Sequence, residues 1–487
     1  MSVPFAAELA SPPIFTPEAE HHLQHAPFGD LHDDPDLLQS PSPTTTAAHS
    51  IHGPTEDLEA REKFTLVEFE PESGENPKEW TKGKKWFVTL GMSALCLAVA
   101  LGSAMPTGNL PAQAEDLGVS HEVIFISITL FVVGFGVGPL LFAPLSEMIG
   151  RKPVYIISMF FYFIFTLPSA LAQNIETMLI CRLIAGTASS APMTNVGGTI
   201  ADIWDADERG IPMGVFSLTI FMGPCLGPLL GGWISVGTHN WRWIYWTLFI
   251  FLGVVFLFTC LAPETYAPIL LKRKAARLCK QHNTNAFKSE IEMRKTPLST
   301  TLKIALTRPF IFMFCEPIVL CMSIYLSFIY SLLYLLFFAF PIAFEEVRGW
   351  NEGLTGTAFV AVMLGIAFAF IALQYQEVLY KRASKNDARP EARLYPMMLG
   401  SIILPIGLFI FAFTGGYEWV HWIGPCVGGC LFGLAMLLVY VSANSHNMGF
   451  QYAGLLLALI ACAISPIPFL FFFKGEAVRK RSSRATK

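Results

Sequence analysis

Apolar residues fall in long blocks along this chain, and polar residues are concentrated in the intervals between them. The blocks lie at 86–106, 122–145, 153–172, 177–200, 211–235, 244–262, 310–343, 354–374, 395–414, 421–443 and 453–473. Most hold about twenty residues, the length at which a helix rising about 1.5 Å per residue crosses a hydrocarbon core of about 30 Å. The block at 310–343 is long enough to project beyond the bilayer. A soluble helical protein would break such blocks with charge every turn or two. The pattern predicts an all-α polytopic membrane protein with about eleven spans, and composition agrees. Of 487 residues, 53% are hydrophobic and 14% charged, against about 25% charged in soluble domains.

The intervals divide the chain further. Residues 1–85 are rich in Pro, Ser, Thr, His and acids without periodicity, which predicts a disordered tail. A six-span bundle is expected over 86–262, a basic linker over 263–309, a second bundle over 310–473 and a basic tail over 474–487. The net charge of −4 says little, because charge is segregated by position. Arg151 and Lys152 stand in the second connection, and the eighth holds Lys381, Arg382, Lys385, Arg389 and Arg393. The linker carries Lys272, Arg273, Lys274, Arg277 and further bases, whereas the first connection has Glu115 and Asp116 but no Lys or Arg. Basic residues accumulate in cytoplasmic loops, so the N-terminus is expected in the cytoplasm. The first block begins far into the chain and is expected to act as the insertion signal. The ten cysteines form no CxxC pair, and those such as Cys96, Cys225, Cys315 and Cys462 sit within apolar blocks as packing residues.

Several positions carry candidate chemistry. At the second connection Glu147 precedes Gly150, Arg151 and Lys152. Glycine permits a tight turn, and the bases can bind the carbonyls that end the preceding helix; a generic positive-inside turn would look the same. In the fifth block Gly223, Gly227 and Gly231 recur every four residues, flanked by Gly214, Pro224, Pro228 and Gly232. They line one helix face where another backbone can approach closely, either as a packing groove or as part of a moving joint. Arg182 stands inside the fourth block, with Gly186 and Ser189 on its face. A charge at that depth faces a cavity or a partner, or it snorkels to the outer interface. In the seventh block Glu316, Ser323, Ser327, Tyr330 and Tyr334 fall within roughly 60° of one another at about 100° per residue. Such a stripe faces a watery cavity or makes interhelical hydrogen bonds. Glu316, near the cytoplasmic end, is a proton-site candidate, a gate or a packing residue. No GxxxxGK[ST] phosphate loop occurs, so energy is expected from an ion or substrate gradient. Neither an enzyme nor a cofactor is implied.

The acid, glycine and two bases from Glu147 to Lys152 resemble the signature loop of the major facilitator superfamily, with Glu where that family usually has Asp. The pattern from Gly214 to Gly232 resembles the motif of its drug:proton antiporters, and Arg182-xxx-Gly186 its fourth-span motif. Asn195-Val-Gly-Gly198, Asp202, Arg209-Gly210, Asn240-Trp-Arg-Trp243, Pro263-Glu-Thr265, Glu316-Pro317 and Arg348-Gly-Trp350 are similar to the fungal twelve-span drug:proton antiporter branch, which includes polyamine and multidrug transporters. The resemblance implies two six-span halves with substrate held between them. It implies proton-coupled export of amphipathic or cationic small molecules by a monomer in the plasma membrane, with no nucleic-acid partner. By the resemblance, Arg182 is a proton-coupling residue; the periodicity of the seventh block makes Glu316 a further candidate and Ser323, Ser327, Tyr330 and Tyr334 cavity candidates, to which Asn195 is added. Glu147, Gly150, Arg151, Lys152, Asp202 and Arg209 are expected to form a cytoplasmic gate, whose acid, by the resemblance, binds the start of the eleventh helix.

That helix is missing from the pattern. Leu438 to Asn444 resembles the end of the tenth span, while Gly449 to Tyr452 resembles the lead into the twelfth. Charge counting gives the same result, because an odd number of spans would leave Lys474, Arg479, Lys480, Arg481, Arg484 and Lys487 outside. A miscalled or misspliced chain, an inactive paralogue and a rearranged transporter all fit. The charge rule predicts that a tag after Lys487 is shielded from protease in sealed cells. Digestion from outside would mean that every block crosses and the basic cluster has been overruled.

Overall fold

The computed structural model describes residues 65–293, 317–383 and 395–447, apart from 71–72 and 206–207, with a few isolated positions between 303 and 311. We number the long helices α1 (Lys82–Ala104), α2 (His121–Ile149), α3 (Arg151–Ala170), α4 (Ile175–Ile203), α5 (Gly210–Thr238), α6 (Arg242–Leu261), α7 (Ala267–His282), α8 (Pro317–Pro341), α9 (Glu352–Ala383), α10 (Tyr395–Gly415) and α11 (Ile423–Asn447). The first ten apolar blocks thus coincide with helices, and α7 lies in the linker. Residues 1–64, most of 294–316 including Glu316, the block at 453–473 and the tail 474–487 lie outside the described residues. Among the described residues, nine helices are long and apolar enough to cross a membrane. The fourth, α4, is as long as α2 but interrupted by Arg182, Asn195 and Asp202.

Helices are the form this sequence requires, since hydrocarbon offers no partner to a backbone N–H or C=O. Their starts are set locally: the Asn174 side chain accepts from Thr177 N at the head of α4. Gly150 adopts φ +104° between α2 and α3, a backbone state that other residues rarely take. After Pro341, which ends α8, residues Ile342–Glu346 form a wider turn closed by Val347 N to Ile342 O at 3.1 Å.

In the first bundle α2 packs on α4, α1 on α5, and α3 on both α4 and α6; in the second, α11 packs on α9 and α10. The broad pairing of α5 with α9 joins the bundles along a seam. Outward faces bear Val254, Leu257, Leu261, Phe409 and Phe413, all largely exposed, as expected where lipid is the solvent. One end of the assembly carries the α2–α3 turn and α7; we call it the basic end. There, residues before α1 are held to α7: β1 (Thr65–Leu66) pairs in parallel with β2 (Phe287–Lys288), and Lys274 sits 2.8 Å from Glu75 and 3.7 Å from Glu70.

At the far end two arginines tie loops together. Arg242 pairs with Asp116 and donates to Ala172 O at 2.9 Å. Arg348 donates to the carbonyls of Ala343, Thr414, Gly415, Tyr417 and Val420, gathering the chain after α8 against the end of α10. Cations at helix C-termini are favoured, and only a planar fork reaches so many acceptors. Arg348→Ala is therefore expected to lower the melting temperature of the purified protein, a loss of about 2 kcal/mol or more, with Arg348→Lys recovering part. An unchanged melting curve would refute the clamp.

Candidate transport site

The basic end is organised around Gly150. Its missing side chain leaves room for the Glu264 carboxylate, which a Cβ would meet at 2.5 Å. Glu264, just beyond α6, accepts from the backbone N–H of Arg151 at 3.1 Å and Lys152 at 3.3 Å, and from Thr265 and Tyr266 at 3.0 and 3.1 Å. A buried anion thus caps the N-terminus of α3, where the helix dipole and orphan N–H groups favour negative charge. The sequence comparison includes Pro263-Glu-Thr265, but the role depends on closure across 113 residues and has no local signal.

Arg151 is 2% exposed. The turn pattern suggested that it would bind the carbonyls ending α2; instead the guanidinium bridges side chains of neighbouring helices. Its Nε lies 3.0 Å from Asp202 Oδ2 on α4, and Nη1 is 3.3 Å from Ser146 Oγ and 3.4 Å from Asn195 Oδ1. Asn195, expected to line a cavity, belongs to this network and accepts from Ser146 Oγ at 2.9 Å. Gly198 supplies the space, since a Cβ there would meet Arg151 Nη2 at 2.5 Å. Glu147 lies within electrostatic reach of Arg151 and Tyr266. Burial, reinforced by that carboxylate, pushes the Tyr266 phenol up to about 12 and keeps it protonated. Arg209 Nη2 donates to Ala201 O and Trp204 O at 3.2 and 3.3 Å, closing the end of α4. The six expected gate residues therefore gather at one end, with Ser146, Asn195 and Glu264 added.

The glycine face of α5 divides its work between two neighbours. Gly223, Gly227 and Gly231 press on α1 and the residue after it: a Cβ would meet Ala100, Ala104 and the Met105 backbone. Gly214 and Gly232 turn to α9, against Phe370 and Gln374 at one end and Glu352 at the other. The Pro228 carbonyl meets Gly356, so both sides of the seam use glycine. Trp233 Nε1 donates to Thr357 Oγ1 at 3.0 Å near the far end.

On α8, Ser323 and Ser327 are buried, and Ser327 Oγ has no hydrogen-bond partner among the described residues. The Tyr330 ring centroid lies 5.5 Å from Phe221 on α5 and 6.4 Å from Tyr440 on α11. Tyr334 donates to Ser103 Oγ at 3.2 Å. Tyr330 and Tyr334 of the stripe thus reach the first bundle. Arg182 is 2% exposed and does not snorkel. Its Nη1 donates to Gly102 O at 2.8 Å, and its guanidinium lies 4.5 Å from the Phe131 centroid and 5.8 Å from that of Tyr245. Tyr245 Oη bonds Gln113 Oε1 at 3.2 Å, and Asn109 Nδ2 donates to Ser235 Oγ at 2.7 Å. Gln113 and Asn109 lie between apolar blocks, where sequence gives no sign that they are buried.

Two helical bundles meeting at a glycine-lined seam, with buried polar groups along it, define an integral membrane protein of the secondary-transporter class. Residues 91–472 match the Major Facilitator Superfamily, and the chain belongs to that family. It is 38% identical to the MFS-type transporter paaT of Penicillium rubens over 94% of this chain and 91% of that protein. It is 37% identical to the multidrug transporter mdrA of Aspergillus fumigatus, over 85% of this chain and 74% of that protein, and 35% identical to the efflux pump FUB11 of Gibberella moniliformis, over 86% and 78%. The fold matches the proton:xylose symporter XylE with a TM-score of 0.60 at 16% identity, covering 82% of this chain and 90% of the other. The chain is thus a transporter-family protein related to fungal efflux pumps, not an enzyme.

If Glu264 caps α3, Glu264→Ala should lower the melting temperature by the equivalent of about 1–3 kcal/mol. Glu264→Gln, which keeps an acceptor, should lose less. Equal effects of the two substitutions would show that the carboxyl oxygens do not hold the turn.

Proposed function

We propose that this chain exports small amphipathic organic molecules in exchange for protons, by alternating access, with its basic end in the cytoplasm and the plasma membrane as its location. The observation that carries the reading is the seam. Gly214 and Gly232 of α5, with Gly356 of α9, let the two helices slide or rock against each other, while the α8 stripe and Arg182 supply polar groups where the bundles meet. Relatives named as efflux pumps and a multidrug transporter support the outward direction. An arginine does not release its proton at working pH, so in this scheme Arg182 sets the proton affinity of an acid elsewhere; Glu316 is the candidate. The family's cargo extends from drugs and toxins to polyamines.

A second reading, a non-transporting or degenerate membrane protein, draws on the span missing between Asn444 and Gly449. Its support is that 459 aligned positions with a Schizosaccharomyces pombe relative take in only 86% of this chain. That relative therefore carries residues with no counterpart here. Proteoliposomes separate the readings. An inside-acid gradient should drive movement of at least one of a cationic and a carboxylate-bearing amphipathic dye, collapse of the gradient should abolish it, and Arg182→Gln should uncouple the two. Folded protein that moves dye at the same rate with and without the gradient would remove proton coupling; no movement would favour the second reading.

A further inference from the structure

Arg182 is set apart from the other charges of the spanning helices whose side chains are described. Lys82, Lys84, Lys85, Glu122, Glu147, Arg151, Lys152, Glu176, Asp202, Arg242 and Glu352 all stand within about one turn of a helix end. Arg182 lies about two turns inside α4, buried, where a guanidinium without a counter-charge is costly. Among the described residues no carboxylate pairs with it. One donor, Nη1, is used by Gly102 O, and the rings of Phe131 and Tyr245 lie beside the guanidinium. Its Nε and Nη2 have no hydrogen-bond partner among the described residues.

Those two nitrogens form one edge of the planar group, the fork that accepts both oxygens of a carboxylate. The location is also suitable. Gly102 is adjacent to Ser103, whose hydroxyl receives Tyr334 from α8, so the guanidinium stands where the two bundles meet. Tyr334 itself lies within electrostatic reach of Arg182. Aromatic side chains already beside the guanidinium provide an apolar wall for the rest of a ligand.

We propose that Arg182 is the counter-ion for an acidic cargo: the substrates are small aromatic or amphipathic molecules bearing a carboxylate, held by the Nε–Nη2 edge. This inference rests on the transport reading and narrows its cargo, because a guanidinium with no carboxylate beside it among the described residues favours an anionic ligand over a cationic one.

The test is calorimetric titration of the purified full chain with three probes of one shape: naphthalene-2-carboxylate, its neutral amide and 2-naphthylmethylammonium. The carboxylate is expected to bind about tenfold tighter than either other probe. Arg182→Gln should erase that preference while leaving the amide unchanged, and Arg182→Lys should keep part of it. Ammonium binding as tight as carboxylate binding, no binding by any probe at millimolar concentration, or an undiminished preference in Arg182→Gln would each overturn the proposal. The three-probe comparison stands on the unmodified protein if the variants do not fold. Carboxylate binding without flux would remove transport and leave the site; gradient-driven flux of the ammonium with no carboxylate preference would do the reverse.

Discussion

Hydrocarbon tolerates neither an unpaired charge nor an open backbone hydrogen bond, and the rest of this structure depends on that constraint. It requires the spans to be helices. It sends ionic side chains to helix ends, where they are put to structural use: Glu264 at the start of α3, Arg209 at the end of α4, Arg348 at the end of α10. It also gives meaning to the exception. Arg182 remains in the interior, and its surroundings satisfy only part of it.

The two ends of the molecule are stiffened by different means. At the basic end, Glu264 fastens the region after α6 to α3 while Arg151 fastens α3 to α2 and α4. These links bind four helices of the first bundle through buried, interlinked polar groups, an arrangement in which removing one member exposes the others. At the far end, main-chain carbonyls around Arg348 do equivalent work for the second bundle. Between the bundles the joint is made mainly of glycine, aromatic and hydroxyl groups, with few bonds to break. In the proposed cycle, stiff bodies and a loosely bonded seam are what rocking requires.

Spans and chemistry were not equally legible in the sequence. Block length and apolarity locate α1 to α6 and α8 to α11 well because the bilayer imposes a length that no tertiary contact alters. The signature turn at Gly150 was legible for the same reason, since backbone chirality there needs glycine. The partners were not. Nothing in the sequence neighbourhood of Glu264 says that it will meet the N–H groups of Arg151 and Lys152, and Asn195 falls on the same helix as Arg182 yet serves the opposite end. The glycine face of α5 was visible as a face, but its division between α1 and α9 follows from helix packing alone. Helix periodicity shows which residues share a side and leaves open what covers that side.

The central claim is that two stiff bundles move against each other about the α5–α9 seam. Pulsed electron-spin distance measurements in lipid nanodiscs test it most directly. One label pair would join the bundles at the basic end, Ile149 with Tyr375, and another at the far end, His121 with Glu418. The account predicts reciprocal change between acidic and neutral pH, one pair shortening as the other lengthens. Two single, unmoving distances under both conditions would contradict it.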